Sequence, residues 1–227
     1  MTTIIRLTNI AMSFQKASDA RESYQALSGV NVDIAQGERV GLVGRNGAGK
    51  STLLRIIAGI YPPVAGSVWR HPDKTIALLS LGLGFKMELS GRDNALLAAM
   101  LQGVSRRRAL GLLDEIGAFT ELGEFFDEPV KTYSTGMRSR LGFATGLLLD
   151  TDVLLLDEIL AVGDPIFRQK ARDALNAKLS EDKTVILVHH AEQAIREMCS
   201  RAIWLADGQV REDGDVNDVL SAYATAV

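Results

Sequence analysis

The sequence is short of cysteine, of basic charge and of long apolar runs, and each shortage excludes a class of protein. The single cysteine, Cys199, cannot form an internal disulfide, so we expect a buried thiol in a reducing compartment. The formal net charge of −3 lacks the basic excess of most nucleic-acid-binding proteins. No apolar run approaches the ~20 residues of a membrane helix, and the N-terminus lacks the pattern of a signal peptide.

The rest of the sequence has the composition and patterning of a globular α/β protein. Its 227 residues are 47% hydrophobic, which is ample for one domain with a buried core. Strand patterns alternate with helix patterns, which predicts a mostly parallel, doubly wound sheet. The predicted strands cover 39–43, 75–79, 153–156, 184–188 and 202–205.

Three further stretches complete the predicted organisation. The alternation of Ile5, Leu7, Ile10 and Met12 favours N-terminal strands at the edge of a sheet, and the polar stretch 15–23 reads as a loop. Residues from about 85 to 150 are helical in pattern and indicate a subdomain inserted into the single domain 1–227. A hairpin is predicted at 207–208.

A glycine loop predicts a nucleotide phosphate site. The stretch GRNGAGKS at 44–51 matches GxxxxGK[ST] and lies between an apolar strand and a helix. Its backbone N–H groups and the following helix N-terminus favour phosphate oxygens. We expect Lys50 to reach the β- and γ-phosphates of ATP and the Ser51 hydroxyl to bind Mg²⁺. The predicted nucleotide-binding residues here are Gly44, Arg45, Asn46, Gly47, Ala48, Gly49, Lys50, Ser51 and Thr52.

An acidic pair follows a later apolar strand. Asp157 and Glu158 come directly after VLLL at 153–156, and acids at the carboxyl end of such a strand lie at the rim where ligands bind. We expect Asp157 to hold Mg²⁺ and Glu158 to deprotonate the attacking water. Alone, the pair would be better explained as solvated acids at a strand end.

A second short motif carries a family resemblance. YSTGMRSR at 133–140 begins a predicted helix, with Ser134 as its N-cap. It resembles the LSGGQ-type signature of ABC-transporter ATPase subunits. Ser134 and Gly136 keep the matching positions, Thr135 and Met137 depart from the commonest form, and Arg140 matches the arginine that usually follows.

The resemblance extends over nearly the whole chain and implies a P-loop NTPase fold of the RecA type. Such ATPases act as head-to-tail dimers, in which the phosphate loop of one subunit and the signature of the other bind one ATP. For a homodimer of this chain, the resemblance implies that the ATP contacts of the partner come from Ser134, Thr135, Gly136 and Met137. Asp164 falls in the segment that crosses the dimer interface.

The resemblance also assigns a histidine. His190 follows the strand 184–188 and takes the place of the switch histidine that contacts the γ-phosphate, while His189 stands where serine is usual. An ordinary surface or core histidine is the alternative for His190, and we assign His71 no functional role.

Three stretches narrow the resemblance to one branch. YSTGMRSRLGFA, DEILAVGDPIFRQK and SLGLGFKMELSGRDN resemble ATPases that export capsular polysaccharide, lipopolysaccharide O-antigen or teichoic acid. This implies an integral membrane permease as partner, a glycan met mainly by that permease, and a peripheral position at the cytoplasmic face of the inner membrane. Since the chain ends at Val227, it resembles the short form without a carbohydrate-binding domain.

Alternatives from other classes are a non-transport ABC ATPase acting on ribosomes or DNA, an ABC ATPase for another substrate, and a regulatory module without turnover. The chain shows no second cassette and no inserted coiled coil, and Glu158 and His190 favour turnover. Most of the superfamily has a glutamine near Ser80 or Leu81. This chain has none there, so the role of positioning water is left unassigned.

Two interpretations remain open in the sequence. The adenine ring is expected to stack on Phe14 or on Tyr24, of which we favour Tyr24, although either could be a packing residue. Leu83, Phe85 and Met87 are apolar in a glycine-containing segment that should be exposed, which favours a groove for the permease with Phe85 as its anchor. The alternative is that they pack as local core.

Overall fold

The computed structural model describes residues 2–16, 19–79, 84–149, 151–157, 164–179, 183–189 and 191–226. The chain divides into two compact units. Unit 1 comprises Met1–Lys74 and Lys183–Val227, and unit 2 comprises Thr75–Asp182. Across these described ranges, no helix has the length and apolar character that a bilayer span requires. The subdomain boundaries of about 85 and 150 stay a prediction, and both positions lie within unit 2.

Unit 1 contains two sheets. The first is antiparallel, and its strands in spatial order are β2 (Asp19–Ala35), β1 (Thr3–Lys16) and β4 (Ala65–Arg70). The second has three parallel strands and an antiparallel one: β7 (Thr184–Val188), β3 (Arg39–Val43), β8 (Arg201–Ala206) and β9 (Gln209–Asp215). The helices of this unit are α1 (Lys50–Ile57), α6 (Glu192–Met198) and α7 (Val216–Ala226).

A glycine brings α6 onto the parallel strands of unit 1. A Cβ atom added at Gly41, in the middle of β3, would lie 2.3 Å from Cγ2 of Ile195 and 3.7 Å from Sγ of Cys199. Any larger residue at position 41 would therefore push α6 away from the strand. Cys199 itself is buried and free, as predicted, and burial raises the pKa of its thiol to about 12.

Unit 2 combines a parallel strand pair with a group of helices. The strands are β5 (Ile76–Leu79) and β6 (Val153–Asp157), which pair in parallel from Ile76 opposite Val153. The helices are α2 (Gly91–Leu101), α3 (Arg106–Thr120), α4 (Thr135–Leu148) and α5 (Pro165–Leu179). Short 3₁₀ turns at Gly123–Asp127 and Val130–Thr132 connect α3 to α4.

Two expectations for the N-terminal strands are wrong. The polar stretch 15–23 is not a loop, because β1 and β2 continue through most of it and pair Gln15 with Ser23. Paired antiparallel strands satisfy each other's backbone N–H and C=O groups. A solvent-exposed strand pair can therefore form without alternating apolar residues. β1 is also not an edge strand but the centre of its sheet. The alternating apolar residues of β1 show that one face of the strand is buried, but they do not show which strands pair with it.

The hairpin predicted at 207–208 is confirmed as the connection of β8 to β9. Asp207 and Gly208 both have positive φ, 50° and 74°, as both central residues of a type I′ turn require. The Gly208 carbonyl accepts a hydrogen bond of 2.8 Å from the Ser28 N–H, so the turn is fixed against β2.

Tyr133 organises the turns that precede α4 in unit 2. The side chain is buried in a cluster with Phe126, Val130 and Leu141, and its hydroxyl donates to the Phe125 carbonyl over 2.5 Å. A Cβ atom at Gly91 would lie 2.2 Å from that hydroxyl, so the start of α2 also packs on it. Burial raises the pKa of Tyr133 to about 12.

We predict that Tyr133→Phe lowers the free energy of unfolding by about 0.5–1.5 kcal/mol at neutral pH, because the hydrogen bond from its hydroxyl to the Phe125 carbonyl is lost. The native pKa is raised above its usual value of 10. The hydroxyl therefore contributes fully below pH ~10, and its contribution falls as pH rises from ~10 to ~12. Urea unfolding of both proteins at several pH values should show the difference narrowing above pH ~10. Tyr223→Phe is the control, since the described part of the chain offers its hydroxyl no hydrogen bond. A difference that stayed constant up to pH 12 would contradict this account.

Candidate nucleotide-binding site

The glycine loop of unit 1 has a backbone path that only glycine permits at two positions. It runs from the end of β3 to α1, and Gly44, Gly47 and Gly49 have φ values of 145°, 84° and 101°. A Cβ atom at Gly44 would lie 2.2 Å from the Leu205 carbonyl oxygen, and one at Gly49 would lie 2.5 Å from that of Ala26. Close approach and left-handed backbone together exclude side chains there.

The start of α1 is suited to an anion. Gly49 is its N-cap and provides no side-chain acceptor, and the first turn holds no acidic residue. The positive end of the helix dipole is therefore not neutralised by the first turn's own side chains. The Lys50 Nζ donates to the carbonyls of Gly44 at 2.6 Å and Arg45 at 3.0 Å, so its charge lies against the loop. Ser51 and Thr52 follow and are half-buried.

The loop also borders a cavity on the side of β8. This cavity of about 650 Å³ is lined by Arg45, Asn46, Gly47, Ala48, Trp204, Ala206, Asp207, Arg211 and Ala226. Arg45, Asn46 and Gly47 are exposed, whereas Ala48 is buried. The outer half of the loop thus faces open space.

The structure brings together the two candidates for adenine stacking. Phe14 and Tyr24 are cross-strand partners in β1 and β2, with ring centroids 5.7 Å apart. Phe14 is half-buried, while Tyr24 is 52% exposed. Tyr61, which the sequence analysis did not single out, packs edge-on against Phe14 at 5.7 Å. An aromatic residue shortly after the helix that follows a phosphate loop is the signal that could have indicated it.

The signature stretch forms the start of α4 in unit 2. Ser134 is the N-cap, as predicted, and its hydroxyl accepts from the Met137 N–H at 3.1 Å. Thr135 and Gly136 occupy the first turn, which contains no acidic residue. These residues border a cavity of about 370 Å³ lined by Glu121, Leu122, Phe125, Ser134, Gly136, Met137, Arg140 and Asp164.

Arg140 ties the signature helix to the start of α5. Its guanidinium pairs with the carboxylate of Asp164 and lies over the ring of Phe167, 4.7 Å from the centroid. Asp164 in turn accepts from the N–H groups of Ile166 and Phe167, both at 3.0 Å. The Phe167 N–H and the Arg140 charge lower the pKa of Asp164, so this acid is ionised at neutral pH.

The predicted acidic pair is described only in part. Asp157 is the last residue of β6, after a fully buried VLLL, and is itself half-buried. Glu158, His190 and Leu83 lie outside the described residues. His189, beside the predicted switch position, has an Nδ1 atom that accepts from the Ala191 N–H at 2.9 Å.

The segment predicted to contact a permease is only partly exposed. Phe85 is half-buried and packs against the core of unit 2, while Met87 is 37% exposed. Asn94, which sequence reasoning missed, is buried and shapes the turn between them and α2. Its amide donates to the carbonyls of Lys86, Leu89 and Ser90 at 3.0, 3.1 and 2.8 Å. A polar residue among the apolar positions of α2 was the available signal.

Comparison with known protein families identifies the family of this chain. The model described as ABC transporter matches residues 27–161. The O-antigen export system ATP-binding protein RfbB of Myxococcus xanthus is 44% identical over 89% of this chain and 46% of its own length. The protein of the same name from Klebsiella pneumoniae is 38% identical over 90% and 82%. The teichoic acids export ATP-binding protein TagH of Shouchella clausii is 36% identical over 94% and 59%.

The chain therefore spans about half the length of the Myxococcus xanthus and Shouchella clausii proteins and most of the Klebsiella pneumoniae protein. Among solved structures, the dimeric post-hydrolysis state of the ATP-binding cassette MJ0796, bound to ADP and Pi, is 25% identical. It aligns with a TM-score of 0.74 over 94% of this chain and 99% of its own. The α/β fold and the resemblance to export ATPases predicted from the sequence are confirmed, and the chain belongs to the ABC transporter family.

Proposed function

We propose that this chain is the ATP-hydrolysing subunit of an exporter of a polysaccharide or lipid-linked glycan. The observation that carries the proposal is the phosphate loop, in which two sterically obligatory glycines precede a helix start without a side-chain cap. The names of the relatives, O-antigen and teichoic acids export ATP-binding proteins, support the substrate class.

The nucleotide roles follow the chemistry of the residues. The N–H groups of 44–49 and the Lys50 ammonium bind the phosphates of ATP. The Ser51 hydroxyl and the Asp157 carboxylate supply oxygen ligands of the kind that Mg²⁺ prefers. When bound, Mg²⁺ neutralises charge on the β- and γ-phosphate oxygens. Glu158 and His190, which follow β6 and β7 in sequence, act as general base and γ-phosphate contact.

The signature stretch binds the ATP of a second copy in a head-to-tail homodimer. The N–H groups of the first turn of α4 and the Ser134 hydroxyl favour an anion, and Gly136 leaves their surroundings open, since a Cβ atom there would find its nearest neighbour 3.8 Å away. Asp164 belongs to the same interface. Its pairing with Arg140 keeps the signature helix and the start of α5 in one arrangement.

The subunit acts on the cytoplasmic face of the inner membrane, bound to an integral membrane permease that meets the glycan. Met87 and Phe85 contribute to the permease contact, with Phe85 also supporting the local core. No nucleic-acid partner is proposed, in agreement with the net charge of −3.

The proposed hydrolysis is tested at the base. We predict that Glu158→Gln lowers the rate of phosphate release by a factor of about 100 or more, since general-base catalysis typically contributes 10²–10⁴-fold. ATP binding measured by calorimetry should persist. Glu115→Gln, at an exposed position of α3, is the matched control and should retain full turnover. Wild-type phosphate release by Glu158→Gln would refute the assignment of the base.

The proposed stacking of adenine on Tyr24 is tested by substitution. Stacking of a base on an aromatic ring is worth about 1–3 kcal/mol, so Tyr24→Ala should weaken ATP affinity by a factor of roughly 5 to 150, whereas Tyr24→Phe should preserve it. Phe14→Ala should chiefly lower the melting temperature, because Phe14 packs between Tyr24 and Tyr61. Intact affinity in Tyr24→Ala together with a several-fold loss in Phe14→Ala would reverse the assignment.

The permease contact is tested by comparing a more exposed and a half-buried residue. Met87→Ala should leave the melting temperature and the basal ATPase rate unchanged and reduce co-purification with the permease and glycan export. Phe85→Ala should likewise reduce co-purification with the permease and glycan export. It should also lower the melting temperature, because the ring packs on the core of unit 2. If both variants unfold more readily but still bind the permease normally once folded, the segment is local core.

A further inference from the structure

The hairpin of α2 and α3 ends in a cluster of exposed apolar residues that the proposed nucleotide chemistry does not use. We define residues 97–110 as the α2–α3 tip. Leu101 is 84% exposed, and its exposed apolar neighbours are Leu97, Met100 and Leu110. Isolated exposed apolar residues are common, but a group at one end of a helical hairpin indicates an interaction surface.

The local packing keeps these side chains outside. Ala99, Ala109 and Leu149 form a small buried cluster beneath the tip, and Val104 of the connection packs against it. The Val104 N–H also donates to the Ala99 carbonyl at 3.1 Å, which closes the turn. The inward positions of the hairpin are thus already filled, so Leu101 cannot be buried by a small local shift.

The tip is also strongly basic. Arg106, Arg107 and Arg108 are exposed in the first turn of α3, which contains no acidic residue. Cations are unfavourable at this end of a helix, by about 0.3–1 kcal/mol each. Within the described ranges, Arg106 and Arg107 make no side-chain hydrogen bond or ion pair. The stretch 94–113 has these three arginines and no acid, although the chain as a whole carries −3.

We propose that the α2–α3 tip binds the surface of an anionic phospholipid bilayer. The guanidinium groups would pair with lipid phosphates, and Leu101 would enter the boundary between headgroups and acyl chains. Leu101 protrudes rather than lines a groove, whereas a bound peptide helix would need a hydrophobic groove to receive it. A bilayer accepts a protruding apolar side chain that is flanked by cations.

The expected strength is modest. Each basic residue near an anionic membrane contributes about 5-fold to partitioning, and three arginines are fewer than in most polybasic membrane-binding segments. The contact would therefore orient a subunit that a permease already holds at the membrane. This orienting role rests on the proposed permease partner, whereas lipid binding by the purified chain does not, so the two can fail independently.

The experiment is vesicle flotation of the purified chain. We expect binding to phosphatidylcholine vesicles that contain phosphatidylglycerol and little binding to pure phosphatidylcholine, with loss at high salt because exposed charges are screened. R106Q/R107Q should reduce the partition coefficient about 30-fold. The matched control, R168Q/R172Q, removes two exposed arginines of α5 and should bind like the wild type.

The apolar part is tested separately with Leu101→Ser, which should weaken binding several-fold, against Val64→Ser at another exposed apolar position. Basal ATPase rates should be unchanged in all four variants, and none of the four should melt at a lower temperature than the wild type. Absence of binding to phosphatidylglycerol vesicles would overturn the proposal, as would equal losses in R106Q/R107Q and its control. If R106Q/R107Q reduced co-purification with the permease while vesicles never bound, the tip would be a protein contact and the lipid proposal wrong.

Discussion

The contact of the phosphate loop with two neighbouring strands is the constraint on which the rest of unit 1 depends. Gly49 lies against the Ala26 carbonyl of β2, and Gly44 lies against the Leu205 carbonyl of β8. Because Ala26 is two residues after Tyr24, the strand that limits the loop also carries the ring proposed to stack on adenine. The β8–β9 turn is bonded to the same strand through Ser28. One short region of β2 therefore positions the phosphate loop, the aromatic rings and the β8–β9 turn together.

In unit 2, an ion pair links the signature helix to the start of α5. Arg140 reaches from the signature helix to Asp164, while Asp164 caps the first turn of α5. The guanidinium also contacts the Phe167 ring, so the aromatic face holds the cation where the carboxylate needs it. The capping hydrogen bonds keep Asp164 ionised and thereby preserve the pairing. The position of the signature turn is thus coupled to the segment proposed to lie at the dimer interface.

Sequence patterns predicted the elements whose burial is regular. The strands at 39–43 and 184–188 and the Ser134 cap of α4 are confirmed with the same residues, because buried apolar runs and serine caps have local causes. The strand pairing at 15–23 was missed because backbone hydrogen bonds between β1 and β2 hold it. Its side chains show no alternation of apolar and polar residues. Tyr61 was missed because its partner Phe14 is distant in sequence. Asn94 was missed because one polar position in a helix does not show that its amide bonds the preceding turn. Phe85 was expected to be exposed and is half-buried, since alternation in a short loop cannot show which element covers it.

Unfavourable backbone conformations have different explanations in different parts of this chain. Asp207 and Gly208 reverse the chain with two positive φ angles, and the hairpin itself explains both of them. Glu121 has a positive φ of 56° at the end of α3, where its carboxylate accepts from Lys170 at 2.6 Å. The phosphate loop contains three positive-φ glycines between one strand and one helix. Ordering these glycines costs more entropy than ordering other residues. The anion that the loop is proposed to bind would account for this conformation, because successive backbone N–H groups in such a loop form a concave site for phosphate oxygens.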